Sequence, residues 1–190
     1  MRLVWLARLL LPRLQRLAES RPPNFEVTRD GGAGIYLRRW WLLPRNNRFN
    51  VYLHNMLKDD DDILHDHMYW SLSLVLTDGL DEVYAPHPKD DSLVCAWVGL
   101  DYIDLEKYKR TIREGQLVLR SPHMAHQLIV KKPAWTLFIT GPRVKEWGFW
   151  CPKGFRHWED YVALTQDPSV DQSKGTQGTS GKGVGCGEMS

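Results

Sequence analysis

Two histidines one residue apart, His65 and His67 in "LHDHMYWSLSLVLTDG" (64–79), head an apolar run that closes on Gly79. On an extended strand, residues two apart face the same side, so the two imidazoles point together while Asp66 points away. A pair converging from one strand is half of a metal site. The stretch "GQLVLRSPHMAHQLIV" (115–130) offers His123 and His126 beyond a Ser-Pro turn. If those strands are neighbours, one of the two completes a facial set of three neutral imidazoles. Such a set leaves positions on an ion open to water or substrate.

The elements that must bring these residues together read as short strands. From residue 25 to about 150, segments such as "FEVTR", "AGIYLRRWWLL", "RFNVYLHNML", "MYWSLSLVL", "LDEVYA", "LVCAWVGLDYI", "YKRTIRE", "QLVLR", "HQLIVK" and "AWTLFIT" alternate with turns. The turns carry glycine, proline or clustered aspartate, as in "TDG", "HPKDD" and "KDDDD". Many short strands at this cadence imply a sandwich or small barrel. Ahead of them, Leu3, Leu6, Leu10, Leu14 and Leu17 recur at helical spacing, with Arg2, Arg13 and Arg16 off that stripe. The expectation is an amphipathic helix over 1–22, bendable at Pro12 and docked on its own domain or a dimer mate, with a membrane-surface arm as the alternative. The barrel domain spans 23–164, with "HWEDYVALT" as a short closing helix. Residues 165–190, rich in Gly, Ser, Thr and Gln, read as a flexible tail.

The chain of 190 residues is 43% hydrophobic and 25% charged, ordinary globular composition with room for one core. A formal charge of +2 gives no footprint for nucleic acid, and no run reaches transmembrane length. Cys95, Cys151 and Cys186 form no C-x-x-C pair, and an odd number argues against a disulfide framework. Buried inert thiols in a reducing cytoplasm are expected. The acidic run at 58–62 lacks the alternation and turn glycine of a calcium loop and reads as a solvated hairpin. "RRWW" (38–41) pairs arginine with aromatics, and alternation puts one arginine inward, where Arg38 or Arg39 would meet a substrate carboxylate. "GPRVKEWGFWCPKGF" (141–155) reads as an irregular lid or plug across the barrel.

The two histidine stretches resemble the motifs of the cupin superfamily, small jelly-roll β-barrels (double-stranded β-helices). The first motif sets an H-x-H pair between two glycines with a glutamate after the pair; His65, His67 and Gly79 keep its spacing. The second runs from a glycine to a histidine, and Gly115 and His126 keep that separation, so the resemblance implies His126 as third ligand. The run from "YLRRWWLLPRN" to "WTLFITGPRVKEWGF" is similar to a group of little-characterised bacterial and phage cupin-like proteins. Two departures stand out. Ser71 and Leu72 occupy the positions allowed to the glutamate, and Ser121 and His123 replace the second motif's proline and glycine.

The resemblance implies an all-β barrel holding a divalent transition metal, Fe(II) first and Zn, Ni or Mn as alternatives. It also implies dioxygenase-type chemistry on a small molecule and, often, a homodimer. With no carboxylate on the ion, its double charge favours an anionic substrate. Tyr69, Ser71 and His123 are candidate orienting or protonating groups. His54 reads as packing behind the site, His87 as a solvated turn residue and His157 as packing. The alternatives are a binding module that catalyses nothing and a metal-independent sugar epimerase or isomerase. No nucleic-acid or membrane partner is expected.

Overall fold

In the computed structural model, residues 2–29, 34–60, 62–85, 106–152, 154–165, 178–182 and 185–186 are described. Helix α1 (Val4–Ser20) runs through Pro12. It is followed by β1 (Phe25–Arg29), β2 (Gly34–Trp41), β3 (Asn50–Met56), β4 (Ser71–Val75) and β5 (Gly79–Ala85). After these come β6 (Tyr108–Arg113), β7 (Leu117–Arg120), β8 (Ala125–Ile129) and β9 (Ala134–Thr140). The chain continues through β10 (Gly148–Cys151), β11 (Gly154–His157), the single turn α2 (Trp158–Tyr161), β12 (Val162–Thr165) and β13 (Gly178–Lys182).

The strands build two facing sheets of a jelly-roll barrel, the all-β architecture expected with an N-terminal helix. One sheet has the order β12-β13-β1-β2-β3-β9-β4-β7. The other is β6-β5-β8, extended by the hairpin β10-β11 through His65, which bridges both His126 of β8 and Phe149 of β10. Strand alternation divides the interior into two levels. At one end Leu37, Met56, Val75, Leu80, Ile112, Val118, Val130 and Ala134 pack together as an apolar floor. Two residues further along the same strands the inward positions become His54, Ser73, Glu82 and Arg120, and four residues before Val130 comes His126, all buried.

α1 covers the outer face of the larger sheet. Leu3, Leu6, Leu10 and Leu14 of the predicted stripe meet Trp40, Leu53, Leu74 and Leu76, with Ala7 fully buried between them. Full burial of a leucine such as Leu53 contributes about 2 kcal/mol. The helix is therefore docked on its own domain. Gly115 explains part of the fit: its φ is +75°, and a Cβ there would stand 2.4 Å from the Val4 amide nitrogen. Gly79 has φ +122°, with the Ile112 carbonyl oxygen 2.4 Å from a would-be Cβ. Both motif glycines thus sit where an L side chain fits neither backbone nor space.

Several expectations need correction. The closing helix is one turn, because Val162–Thr165 pairs with β13 instead. Residues 178–182 lie inside the segment expected to be a flexible tail, yet they form a strand between β1 and β12, which supply the backbone partners that composition alone does not reveal. Cys151 and Cys186 are joined in a disulfide, so neither is a free thiol, and the support that free thiols lent to a reducing cytoplasm is gone. Of the lid expected at 141–155, residues 141–147 are irregular, whereas Gly148–Cys151 and the start of Gly154–His157 form the regular hairpin β10-β11. In the acidic run, Asp60 is buried and its Oδ2 accepts from the Leu128 amide at 2.6 Å, while Asp59 accepts from the Val130 amide, so these acids close the open edge of β8. Cys95, His87 and the strand expected at 93–103 lie outside the described residues. Among the described residues no helix is long and apolar enough to cross a membrane.

Candidate metal centre

The segment before β4 runs antiparallel to β8, with His65 N–H donating to the His126 carbonyl at 3.0 Å and His126 N–H donating back at 2.8 Å. This exchange brings two distant motifs together. Asp66 points the other way, as alternation requires: its carboxylate takes Lys145 Nζ at 2.6 Å and the Gly148 amide at 3.0 Å, pinning the start of β10. His65, His67 and His126 then turn their rings toward one another, with one ring nitrogen from each within 4.8 Å of the others. The Nε2 atoms of His67 and His126 are 2.8 Å apart. Two nitrogens at cis positions of an octahedral ion, each about 2.1 Å from it, would be about 3.0 Å apart. Three imidazoles so close fit a divalent transition metal both in geometry and in donor type.

Behind His126 stands Glu82, a residue the sequence reading passed over. Its Oε1 lies 2.8 Å from His126 Nδ1 and accepts from Arg120 Nε at 2.6 Å. Its Oε2 accepts from Arg110 Nε at 2.6 Å. A carboxylate at Nδ1 keeps the proton on that nitrogen and aims the Nε2 lone pair at the centre. Burial by itself would raise the Glu82 carboxyl. The His126 hydrogen bond and the charge and hydrogen bond of Arg120 outweigh burial and hold it well below the usual carboxylate range. His126 is driven down to about 3, by burial first and then by His65 and Arg120, against the pull of Glu82. His67 is likewise well below an ordinary imidazole, through burial and then the neighbouring His126, His65, Arg120 and Arg39. Both rings are therefore neutral at physiological pH, the form that binds metal.

An aromatic wall surrounds the centre. His67 lies between Tyr69, with centroids 5.9 Å apart, and Trp147 at 6.3 Å. Phe138 sits 6.4 Å from both His67 and Tyr69. Burial raises the Tyr69 phenol, so it keeps its proton at neutral pH. Arg39 is the inward arginine: its Nε donates to His54 Nε2 at 2.8 Å, whereas Arg38 pairs outward with Glu26. His54, buried and stacked on Phe138 at 4.7 Å, packs behind the site as expected. Ser71 is fully buried on the inner face of β4. His123 is exposed in the turn before β8, and His157 is paired with Glu146 at the surface. Of the candidates, the structure gathers His65, His67, His126 and Tyr69, and leaves His123 exposed in its turn. Beyond Glu82, sequence reading also missed Arg120, Trp147 and Thr140. The one available signal was parity, since Glu82 is two residues from the inward Leu80.

No described protein family and no curated protein matches the sequence. Among solved structures, the chain is similar to Streptomyces albus HEPD with 2-hydroxyethylphosphonate and Fe(II) bound, at TM-score 0.42 and 15% identity over 58% of this chain and 22% of that one. It is similar to the DMSP lyase DddQ of Ruegeria pomeroyi at TM-score 0.42 and 11% identity, over 63% of this chain and 54% of the other. A cupin superfamily protein from Desulfitobacterium hafniense gives 0.38 and 14%, over 56% and 77%. The chain thus spans about a fifth of the first and about half of the second. At these values the chemistry of the site must come from its own side chains.

Proposed function

We propose that the chain is a metal-dependent enzyme of the three-histidine, non-haem Fe(II) oxygenase type, acting on a small anionic substrate. The observation that carries this is the convergence of His65, His67 and His126 from two distant stretches, with Glu82 fixing the third ring from behind. Three neutral imidazoles leave an ion its full double charge, which favours an anionic ligand. The ion would supply Lewis-acid polarisation of that ligand and, as Fe(II), redox chemistry with dioxygen.

The chain's own residues do the rest. Tyr69, which keeps its proton and stacks on His67, would serve as the proton donor to the ligand. Phe138 and Trp147 keep water from the inner side of the centre. Ser71 offers a hydroxyl to a ligand oxygen, and His123 is a proton carrier at the rim. A homodimer accompanies this reading as the assembly the resemblance implies.

Oxygen uptake by Fe(II)-loaded protein on a panel of thiols, diketones and small carboxylic acids tests it. Uptake with at least one class, abolished in His126→Ala, is expected. Tight ligand binding with no uptake on any of them would instead establish a binding module that catalyses nothing.

A further inference from the structure

We propose that Ser71, Thr140 and Arg120 form a niche beside the three imidazoles that takes one oxyanion of the ligand, a carboxylate or phospho-type group. The inference rests on reading those imidazoles as the ligand-binding centre, and adds where the ligand's charge is held.

Ser71 opens β4 and stands directly opposite Thr140 of β9 on one side and Arg120 of β7 on the other. This face is turned into the barrel: Ser73, two residues on, accepts from Arg120 Nη1 at 2.8 Å. Phe138, two residues before Thr140 and on the same face, is 6.4 Å from the His67 and Tyr69 rings. The Ser71–Thr140 pair is therefore at the His67 end of the interior.

The Ser71 and Thr140 side chains both have 0% exposure, and neither hydroxyl oxygen has a hydrogen-bond partner in the structure. Buried hydroxyls without partners are destabilising, and two facing each other at one register position call for a shared polar ligand. The local charge says which kind. Glu82 is one carboxylate serving two guanidinium groups, Arg110 and Arg120, so the three side chains together carry a net positive charge, and Arg120 is the one that stands opposite Ser71. Arg120 is itself only 4% exposed, where solvent screens its charge little. Ser71 also occupies the place that the related motif gives to glutamate, whose charge would repel an anion. Two neutral donors and a net positive charge together select an oxyanion.

Calorimetric titration of the full chain with inorganic phosphate and with acetate, in chelator-treated and Zn(II)-loaded forms, tests this, alongside thermal melting. We expect binding of at least one probe in the chelator-treated form, weakened about tenfold or more in Ser71→Ala and in Thr140→Val. The melting temperatures of both variants should equal or exceed that of the wild type, because each removes a buried unpartnered hydroxyl. Tighter binding of phosphate assigns the niche to phospho-type ligands, and tighter binding of acetate to carboxylates. No binding of either probe to the wild type, or wild-type affinity in both variants, overturns the proposal. Ion binding is read separately by the Zn(II) stoichiometry, so a failed niche and a failed metal centre give different results.

Discussion

Glu82 shows how one side chain can set the behaviour of a site it does not occupy. It is fully buried, accepts from two arginines and fixes the tautomer of His126. Glu82→Gln keeps the shape, removes the charge, and leaves two guanidinium groups to share a neutral amide. Affinity for Zn(II), measured by competition with a chromophoric chelator, should fall about 10- to 100-fold. Wild-type affinity would mean that His126 holds its orientation without the carboxylate. The histidine pair was legible in the sequence because a spacing of two is a local property of any strand. His126 was legible through its distance from Gly115. Glu82 and Thr140 were not, because their roles depend on register: Tyr84 opposite His126 and Thr140 opposite Ser71 are facts about pairing between remote segments. Asp81 and Glu82 look alike as letters, and only parity sends Asp81 outward to Thr111 and Lys131.

Elements formed by local pattern were readable, and those completed by a remote partner were not. The leucine spacing of α1 located both the helix and its buried stripe, since period and apolarity suffice for that. β13 contains glycine, threonine, serine and lysine, and its order comes from backbone bonds to β1 and β12. The disulfide Cys151–Cys186, closing a separation of 35 residues, likewise depends on where the hairpin β10-β11 lies. The contact of α1 with Gly115 gives a test. Gly115→Ala places a methyl against Leu3 and Val4 on a backbone at φ +75°. The strain and the clash should cost about 1–3 kcal/mol, read as a lower melting temperature and faster proteolysis near residues 20–24. An unchanged melting temperature would mean that α1 is not seated on this glycine.

Across the whole molecule the interior grades from an apolar floor to a polar end rich in imidazole and guanidinium, and that gradient sets the response to acid. His54, well below its ordinary pKa through burial and then Arg39, joins His67 and His126 as rings kept neutral. A lowered histidine pKa means that the unfolded chain binds more protons below about pH 6.5, so stability present above that value is lost as pH falls through the window beneath it. Glu82, also lowered, adds a loss below about pH 4.5 in the same direction. The melting temperature of the metal-free protein should therefore fall steadily from pH 7 to pH 4, and less steeply in His54→Gln. A flat profile would contradict the buried neutral imidazoles.

The most direct measurement is the ion content and coordination of the purified, metal-loaded chain, by elemental analysis and X-ray absorption. About one divalent ion per chain is expected, with three imidazole nitrogens at roughly 2.0–2.2 Å. His65→Ala, His67→Ala and His126→Ala should each reduce occupancy several-fold. A wild-type chain that takes up no more ion than these variants, or a coordination shell without imidazole, would contradict the reading of the three histidines as a metal centre.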